Sequence, residues 1–418
     1  MIAIALVVSL AIALDLGGDA NDEQAVRFSA SDVERVAQRV ERMRGLRFKH
    51  PVRPLFLSRD EAAKLVLENA RSEYPERAQR VDEEGLKLLG LLRPSVDLGK
   101  VTEQISEEQV LGFYDDRSGR LVVVRDSGAT RPLLEITLAH ELVHALEDQR
   151  FGLDLPEGVP DDSVLSESAL AEGTATSLMV DYADRYLNLG QTLELASLPE
   201  ATGLPPFIEK QLLFPYLDGE KFVNVFRGEG GDWGPVDAIL RFRRPRTSEQ
   251  ILHPRSYAAD EQPQYVGAPD LRAALGSGWR RLRATSLGEY DLRLLIDLGG
   301  GTRPIAGADG WDGGRFELWR RGRSDDVCRA PCVLRDIAFM RVRWDTAGDR
   351  AEAESQLVRV FEKGLRGRRV AAGAGVGIWG SRGATIAMRG RARETTVVFA
   401  PDERLAARAL RSSSASGP

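Results

Sequence analysis

The chain has 418 residues, of which 43% are hydrophobic and 29% charged, and its net charge is -6. That length favours two packed units over one, and the composition is that of an ordinary globular protein, which excludes a disordered or fibrous chain. The mildly acidic balance gives no electrostatic reason to expect nucleic acid or an anionic membrane as partner, and the arginines clustered at Arg241–Arg246 and Arg366–Arg369 read as solvated faces.

An apolar run from Ile2 to Leu14, broken only by Ser9, opens the chain. It is short for a bilayer span and suits the core of a signal peptide, so residues 1–20 are expected to be a signal peptide or anchor and the protein to be exported. Ser31 then precedes an amphipathic helix to about Leu46. An extended segment from Phe48 to Leu57 carries Pro51 and Pro54, the mark of an edge or irregular strand. Ser58 opens a second helix to about Ser72, and Pro75 a third to Leu92. From Gln109 to Val124 the pattern is that of a hairpin turning at Asp115-Asp116-Arg117-Ser118-Gly119.

Pro132 begins a long helix to about Gln149. Leu134, Leu138, Leu142 and Ala145 form one apolar stripe on it, and Ile136, Ala139, Val143 and Leu146 another. A helix apolar on two sides is buried, so His140 and His144 are expected inside the protein. A loop from Phe151 to Asp162 leads to a helix from about Ser163 to Leu189, and mostly helical segments follow to Tyr257. Residues 263–312, rich in Gly and Pro, read as a connecting region with one helix near Leu287–Leu298. Beyond it, strand-like runs at Phe316–Trp319, Ile337–Trp344, Thr385–Arg389 and Thr395–Phe399 surround a helix from Asp349 to Leu365. The expected architecture is α+β: a mainly helical unit over residues 25–262 with a small hairpin or sheet, a C-terminal α+β unit over 313–411, and a disordered tail at 412–418. The two cysteines, Cys328 and Cys332, are too few to close a tetrahedral structural zinc site, and stand either as a local disulfide or as a reduced, inert pair.

The chemistry is concentrated in His140-Glu141-Leu142-Val143-His144. Residues four apart on a helix share a face one turn apart, so the two imidazoles can bind one cation. Glu141 then lies beside the metal, where it can take a proton from a zinc-bound water and pass it to a leaving amine. A catalytic zinc takes three protein ligands and leaves one position open. The next helix offers Glu167 and Glu172. Glu172 is favoured because Gly173 and Ala175 beside it allow a close helix approach, whereas Glu167 sits in the first turn, where the helix dipole alone favours a carboxylate. Asp148, four residues past His144, is either a partner for that imidazole or a solvated helix-end charge.

A helix with this motif followed by one donating Glu resembles the gluzincin branch of zinc metallopeptidases, of which thermolysin is a member. The segments HELVHALEDQRF and ALAEGTA, with TSEQILHPRSY, GEYDLRLLI and GWDGGRFELW further on, are similar to those of exported bacterial metallopeptidase-like proteins. The resemblance runs from about Phe48 to Trp344. It implies a zincin-like domain and hydrolysis of peptide or protein substrates, with Zn2+ held by His140, His144 and Glu172 and Glu141 as catalytic base. It also implies an edge strand that pairs with the substrate, around Leu111–Tyr114 or Leu121–Val124, and a His or Tyr that stabilises the oxyanion. His253 is the first candidate for that second catalytic role; Tyr257 and Tyr216 are the others. The competing reading is a catalytically silent or latent zincin fold acting as an extracytoplasmic binding module.

Overall fold

The computed structural model describes residues 28–108, 111–153, 158–188, 203–267, 271–300, 307–322 and 332–412, except 374 and 382. The apolar run at 2–14, Cys328 and residues 413–418 of the tail lie outside the described residues. The fold is α+β, with a three-stranded and a seven-stranded sheet set among helices.

Helix α1 (Ala30–Arg44) starts at a capping box in which Ser29 and Asp32 satisfy each other's backbone amides, and ends at Gly45 with φ of 67°. Strand β1 (Pro54–Leu57) is followed by α2 (Arg59–Glu73), whose Ser58–Glu61 capping box sets its start, then by α3 (Glu76–Leu89) after Pro75 and by α4 (Leu98–Glu108). Helix α4 lies in the stretch before the hairpin to which the sequence pattern assigns no element. The hairpin itself is β2 (Gly112–Asp115) and β3 (Arg120–Val124), paired antiparallel with Tyr114 opposite Leu121. Strand β1 adds to the other side of β3 in parallel, giving the order β1-β3-β2.

Helix α5 (Arg131–Phe151) has Pro at its first turn and a C-terminal Gly152, and its residues from Pro132 to Glu147 are all buried. Against it lies α6 (Asp161–Tyr186), and against α6 lies α7 (Pro206–Arg227). The α6–α7 crossing is set by two glycines. A Cβ on Gly173 would run into the backbone carbonyl of Gly219, and one on Gly219 into the carbonyl of Ala169, so only hydrogen at both positions allows this approach. Short helices α8 (Gly234–Phe242), α9 (Ser248–Leu252) and α10 (Pro254–Ala258) complete this part.

The second sheet is built from β4 (Trp279–Ser286), β5 (Trp311–Arg321), β6 (Asp336–Trp344), β7 (Arg368–Gly373), β8 (Val376–Ser381), β9 (Ala384–Arg391) and β10 (Glu394–Ala400), in the order β4-β5-β6-β10-β9-β8-β7. Helices α11 (Leu271–Leu275) and α14 (Glu403–Ser412) pack on one face through Trp279, Phe339, Val398 and Ala406. Helices α12 (Glu289–Asp297) and α13 (Ala347–Arg359), with a π-helical turn at Val360–Gly364, pack on the other. Residues 263–312 thus contain α11 and β4 in addition to the one helix expected there. The strand pattern of β4 is masked by its arginines, whose long side chains half-cover a face that an alternation rule reads as solvent. Cys332 is disulfide-bonded.

One hydrophobic cluster joins the sheet residues Phe316, Leu318 and Met340 to Leu86, Leu89, Phe113 and Ile208 of the first part. Beside it, the start of α6 meets α9 and α12 at Asp162. Its Oδ2 accepts from the Ser248 amide at 3.2 Å, while its Oδ1 is buried without a hydrogen-bond partner against Gly288. Burial, with Asp291 nearby, outweighs the Ser248 hydrogen bond and raises the pKa of Asp162 to about 7. The unfolded chain gives up this proton near the ordinary Asp value of about 4, so the contribution of Asp162 to stability is present at low pH and lost as pH rises through 7. Asp162→Asn is therefore expected to remove roughly 2–3 kcal/mol of the stability lost between pH 5 and pH 8. Urea denaturation of both proteins at the two pH values measures it; parallel losses in the two would refute the assignment.

Candidate metal centre

Helix α5 presents His140 and His144 one turn apart, each 5% exposed, and α6 brings Glu172, 6% exposed, to face them. The Nε2 of His140 lies 3.0 Å from Oε2 of Glu172 and 3.1 Å from Nε2 of His144, which is itself 3.4 Å from the same Glu172 oxygen. Three ligands held roughly 2.0–2.1 Å from a tetrahedral ion are about 3.3 Å apart, so this triangle has the size of one face of a zinc coordination sphere. Two imidazole nitrogens and a carboxylate oxygen converging in a buried place need a shared cation or a shared proton. The electrostatics agree. Burial opposes the charged form of His144, but Glu172, Glu141 and Glu147 outweigh it and lift its pKa to about 9. Burial also opposes ionised Glu172, and the two imidazoles outweigh it and hold its pKa at about 2. The pocket gathers carboxylates around two imidazoles, and can hold a divalent metal ion.

The elements that carry the triad are fastened to each other below it. Glu147, three residues past His144, accepts from Thr174 Oγ1 at 2.6 Å and from Arg44 Nε and Nη2 at 3.1 and 2.8 Å. Thr174 is two residues beyond Glu172, so this buried carboxylate locks the register of α5 and α6, and with it the third ligand. Glu167, the other carboxylate considered from sequence, pairs instead with Arg244 at 3.4 Å.

Glu141 is 1% exposed and its Oε2 accepts from the backbone amide of Tyr114 at 2.8 Å. This brings β2 alongside Glu141. Of the two strand segments considered for an edge, Leu121–Val124 is the centre of the sheet, flanked by β1 and β2, so its polar groups are committed on both sides; Leu111–Tyr114 holds the outer place. Asp148 neither partners His144 nor stands in solvent: it accepts from the Tyr114 hydroxyl at 2.7 Å and from the Leu153 amide at 3.2 Å.

On α7, Tyr216 stacks against His140, with ring centroids 6.0 Å apart and planes at 20°. His253, between α9 and α10, sits in another group. Its Nε2 is 3.1 Å from Glu289 Oε1 and 3.1 Å from Arg293 Nη2, and Arg293 also bonds Asp309 at 2.9 Å. His253, Glu289 and Asp309 could by themselves hold an ion, but the guanidinium of Arg293 already supplies the cation there. The Glu289 hydrogen bond raises the pKa of His253 against a smaller opposing effect of burial. Tyr257 donates to the Arg243 carbonyl at 2.6 Å, deep among Phe222 and Phe226. Tyr114, Glu147 and Gly219 were not singled out from sequence. Only Gly219, as one glycine within a long apolar helix, leaves a local signal.

A family described as Domain of unknown function (DUF8575) matches residues 263–409, which spans β4 to β10 and excludes the metal cluster. No curated protein and no solved structure matches the chain. Among the described residues, no helix is long and apolar enough to cross a membrane.

Proposed function

We propose that this chain is a zinc-dependent peptidase of the gluzincin type, with His140, His144 and Glu172 as ligands. The observation that carries the reading is the convergence of these three buried ligand atoms at tetrahedral spacing, with a second carboxylate, Glu141, held one residue from the first ligand. The donor set of two imidazoles and one carboxylate suits zinc, and leaves one position for water or substrate. A bound zinc ion would polarise a scissile carbonyl and make water acidic enough to attack near neutral pH. Glu141 is the group that takes the proton of the attacking water and returns it to the departing amine. The amide of Tyr114 donates to this carboxylate and aims it. The outward polar groups of β2 supply an edge against which an extended peptide can pair. Tyr216, whose ring stacks on His140, is the oxyanion donor in this reading; His253 lies in a separate group with Glu289 and Arg293.

Residues 25–262 then form the peptidase unit, and the matched C-terminal region a second unit packed against it. The disulfide at Cys332 and the apolar run at 2–14 together support export to an oxidising compartment.

Glu141→Gln tests the mechanism. Digestion of a peptide library by zinc-loaded protein is expected to fall by about 10²–10⁴-fold in the variant, with zinc still bound at one ion per chain. Undiminished cleavage by the variant removes Glu141 from the reaction. Absence of any metal-dependent cleavage by the wild type favours the silent binding module.

A further inference from the structure

Tyr114 is tied to helix α5 at both of its ends. Its amide donates to Glu141 Oε2 at 2.8 Å and its hydroxyl to Asp148 Oδ2 at 2.7 Å. Glu141 and Asp148 are seven residues apart, two helical turns and about 10 Å along the axis, so both lie on the face that meets β2. The residue is 4% exposed. Burial, reinforced by Asp148, pushes the phenol far above its ordinary pKa, so the hydroxyl stays protonated and remains a donor. Asp148 is in turn fixed by the Leu153 amide at 3.2 Å, beyond the end of α5.

The strand pairing shows what this double attachment decides. Leu111 accepts from the Val124 amide, and Phe113 lies opposite Val122, so odd-numbered residues of β2 turn their polar backbone groups towards β3. Gly112 and Tyr114 turn theirs outward. One outward amide, that of Tyr114, is spent on Glu141. A slip of β2 by one residue would remove it and present Phe113 or Asp115 with side chains on the opposite face. The hydroxyl bond to Asp148 adds to the β3 pairing against such a slip, because it fixes the tip of the side chain to the same helix that carries Glu141.

We infer that Tyr114 is the positioning residue of the site: through Asp148 it sets the register of the edge strand against α5, and through its amide it orients the Glu141 carboxylate. The inference rests on the peptidase reading for its kinetic consequence, but the attachment itself is a property of the metal-free chain. Tyr114→Phe keeps the ring and the amide and removes only the hydroxyl. Asp148→Ala removes the acceptor, and Asp148→Asn retains a polar partner for the phenol.

In zinc-loaded protein, Tyr114→Phe and Asp148→Ala are each expected to lower kcat about 10- to 100-fold, the scale of a misplaced catalytic group, with smaller changes in KM and no change in zinc stoichiometry. The double variant is expected to be no worse than the poorer single variant, because both break one contact, and Asp148→Asn to recover most of kcat. Multiplying losses in the double variant, or a kcat unchanged in both single variants, overturns the proposal. The second measurement needs no activity. Hydrogen exchange, followed in peptides covering residues 111–117, is expected to show lost protection at the Tyr114 amide in Tyr114→Phe and Asp148→Ala but not in Asp148→Asn. Unchanged protection in all three overturns the attachment even where cleavage is absent. Lost protection without wild-type cleavage leaves the attachment standing and defeats the peptidase reading alone.

Discussion

Glu172→Ala is expected to weaken zinc binding by at least about 100-fold, more than the 10–100-fold typical of losing a mere outer partner of a ligand. The reason lies in the geometry. His140 and His144 sit on one helix and supply two imidazole donors, whereas Glu172 arrives from α6 and supplies a carboxylate and the third corner of the triangle. Without it, two imidazole nitrogens 3.1 Å apart face each other with no carboxylate beside them, and a bound zinc ion would lose its closing ligand. Glu167→Ala is the control. That carboxylate is engaged with Arg244, so its loss is expected to leave zinc affinity unchanged. Titration of the metal-free proteins with zinc against a competing chelator separates the two. Equal affinities for wild type and Glu172→Ala would remove Glu172 from the ligand set.

Arg44→Met has the largest expected effect on stability, about 3–5 kcal/mol. Arg44 and Glu147 are an ion pair with both side chains 0% exposed. Arg44 also pairs with Asp237 at 2.8 Å and lies over the Trp233 ring at 4.2 Å. Removing the guanidinium leaves the Glu147 carboxylate charged in an apolar interior, held only by Thr174. Solvent screening does not soften that penalty at a fully buried position. Replacing both partners, as Arg44→Met with Glu147→Leu, is expected to restore most of the loss, because the cost comes from the orphaned charge and not from the absent pair. Urea unfolding of the two variants gives the comparison. A double variant as unstable as the single one would show that packing, not charge, dominates here. Because Glu147 also fixes Thr174, the single variant is further expected to loosen Glu172 and to lower zinc affinity along with stability.

Much of the local structure was legible in the chain. Ser58, Pro75 and Pro132 mark helix starts locally, by capping at Ser58 and by the fixed backbone angle of proline at the other two, and helices begin at or within a residue of all three in the fold. The two apolar stripes of α5 announced its burial, and burial is what places its histidines inside. Elements whose pattern depends on distant neighbours were not legible. Strand β4 is arginine-rich and becomes a strand because β5 pairs with it; β8 and β7 are glycine-containing strands, β8 held by β9 and β7 by β8. Glu172 could be ranked above Glu167 from the small residues beside it, but the reason for them, Gly219 on α7, lies 46 residues past Gly173 by sequence number and is visible only as a helix crossing.

Sequence alone determined the residues of the candidate site on α5, because a four-residue spacing on a helix is a local geometric fact. It also determined that the helix is buried, because periodicity records which faces meet water. Tertiary structure decided the rest: that Tyr114 reaches Glu141 and Asp148, that Glu147 and Arg44 lock α5 to α6, and that His253 spends its side chain on Glu289 and Arg293. Each of these contacts joins residues from different elements, and one-dimensional periodicity carries no information about which of several polar side chains will be brought within 3 Å of a given buried group.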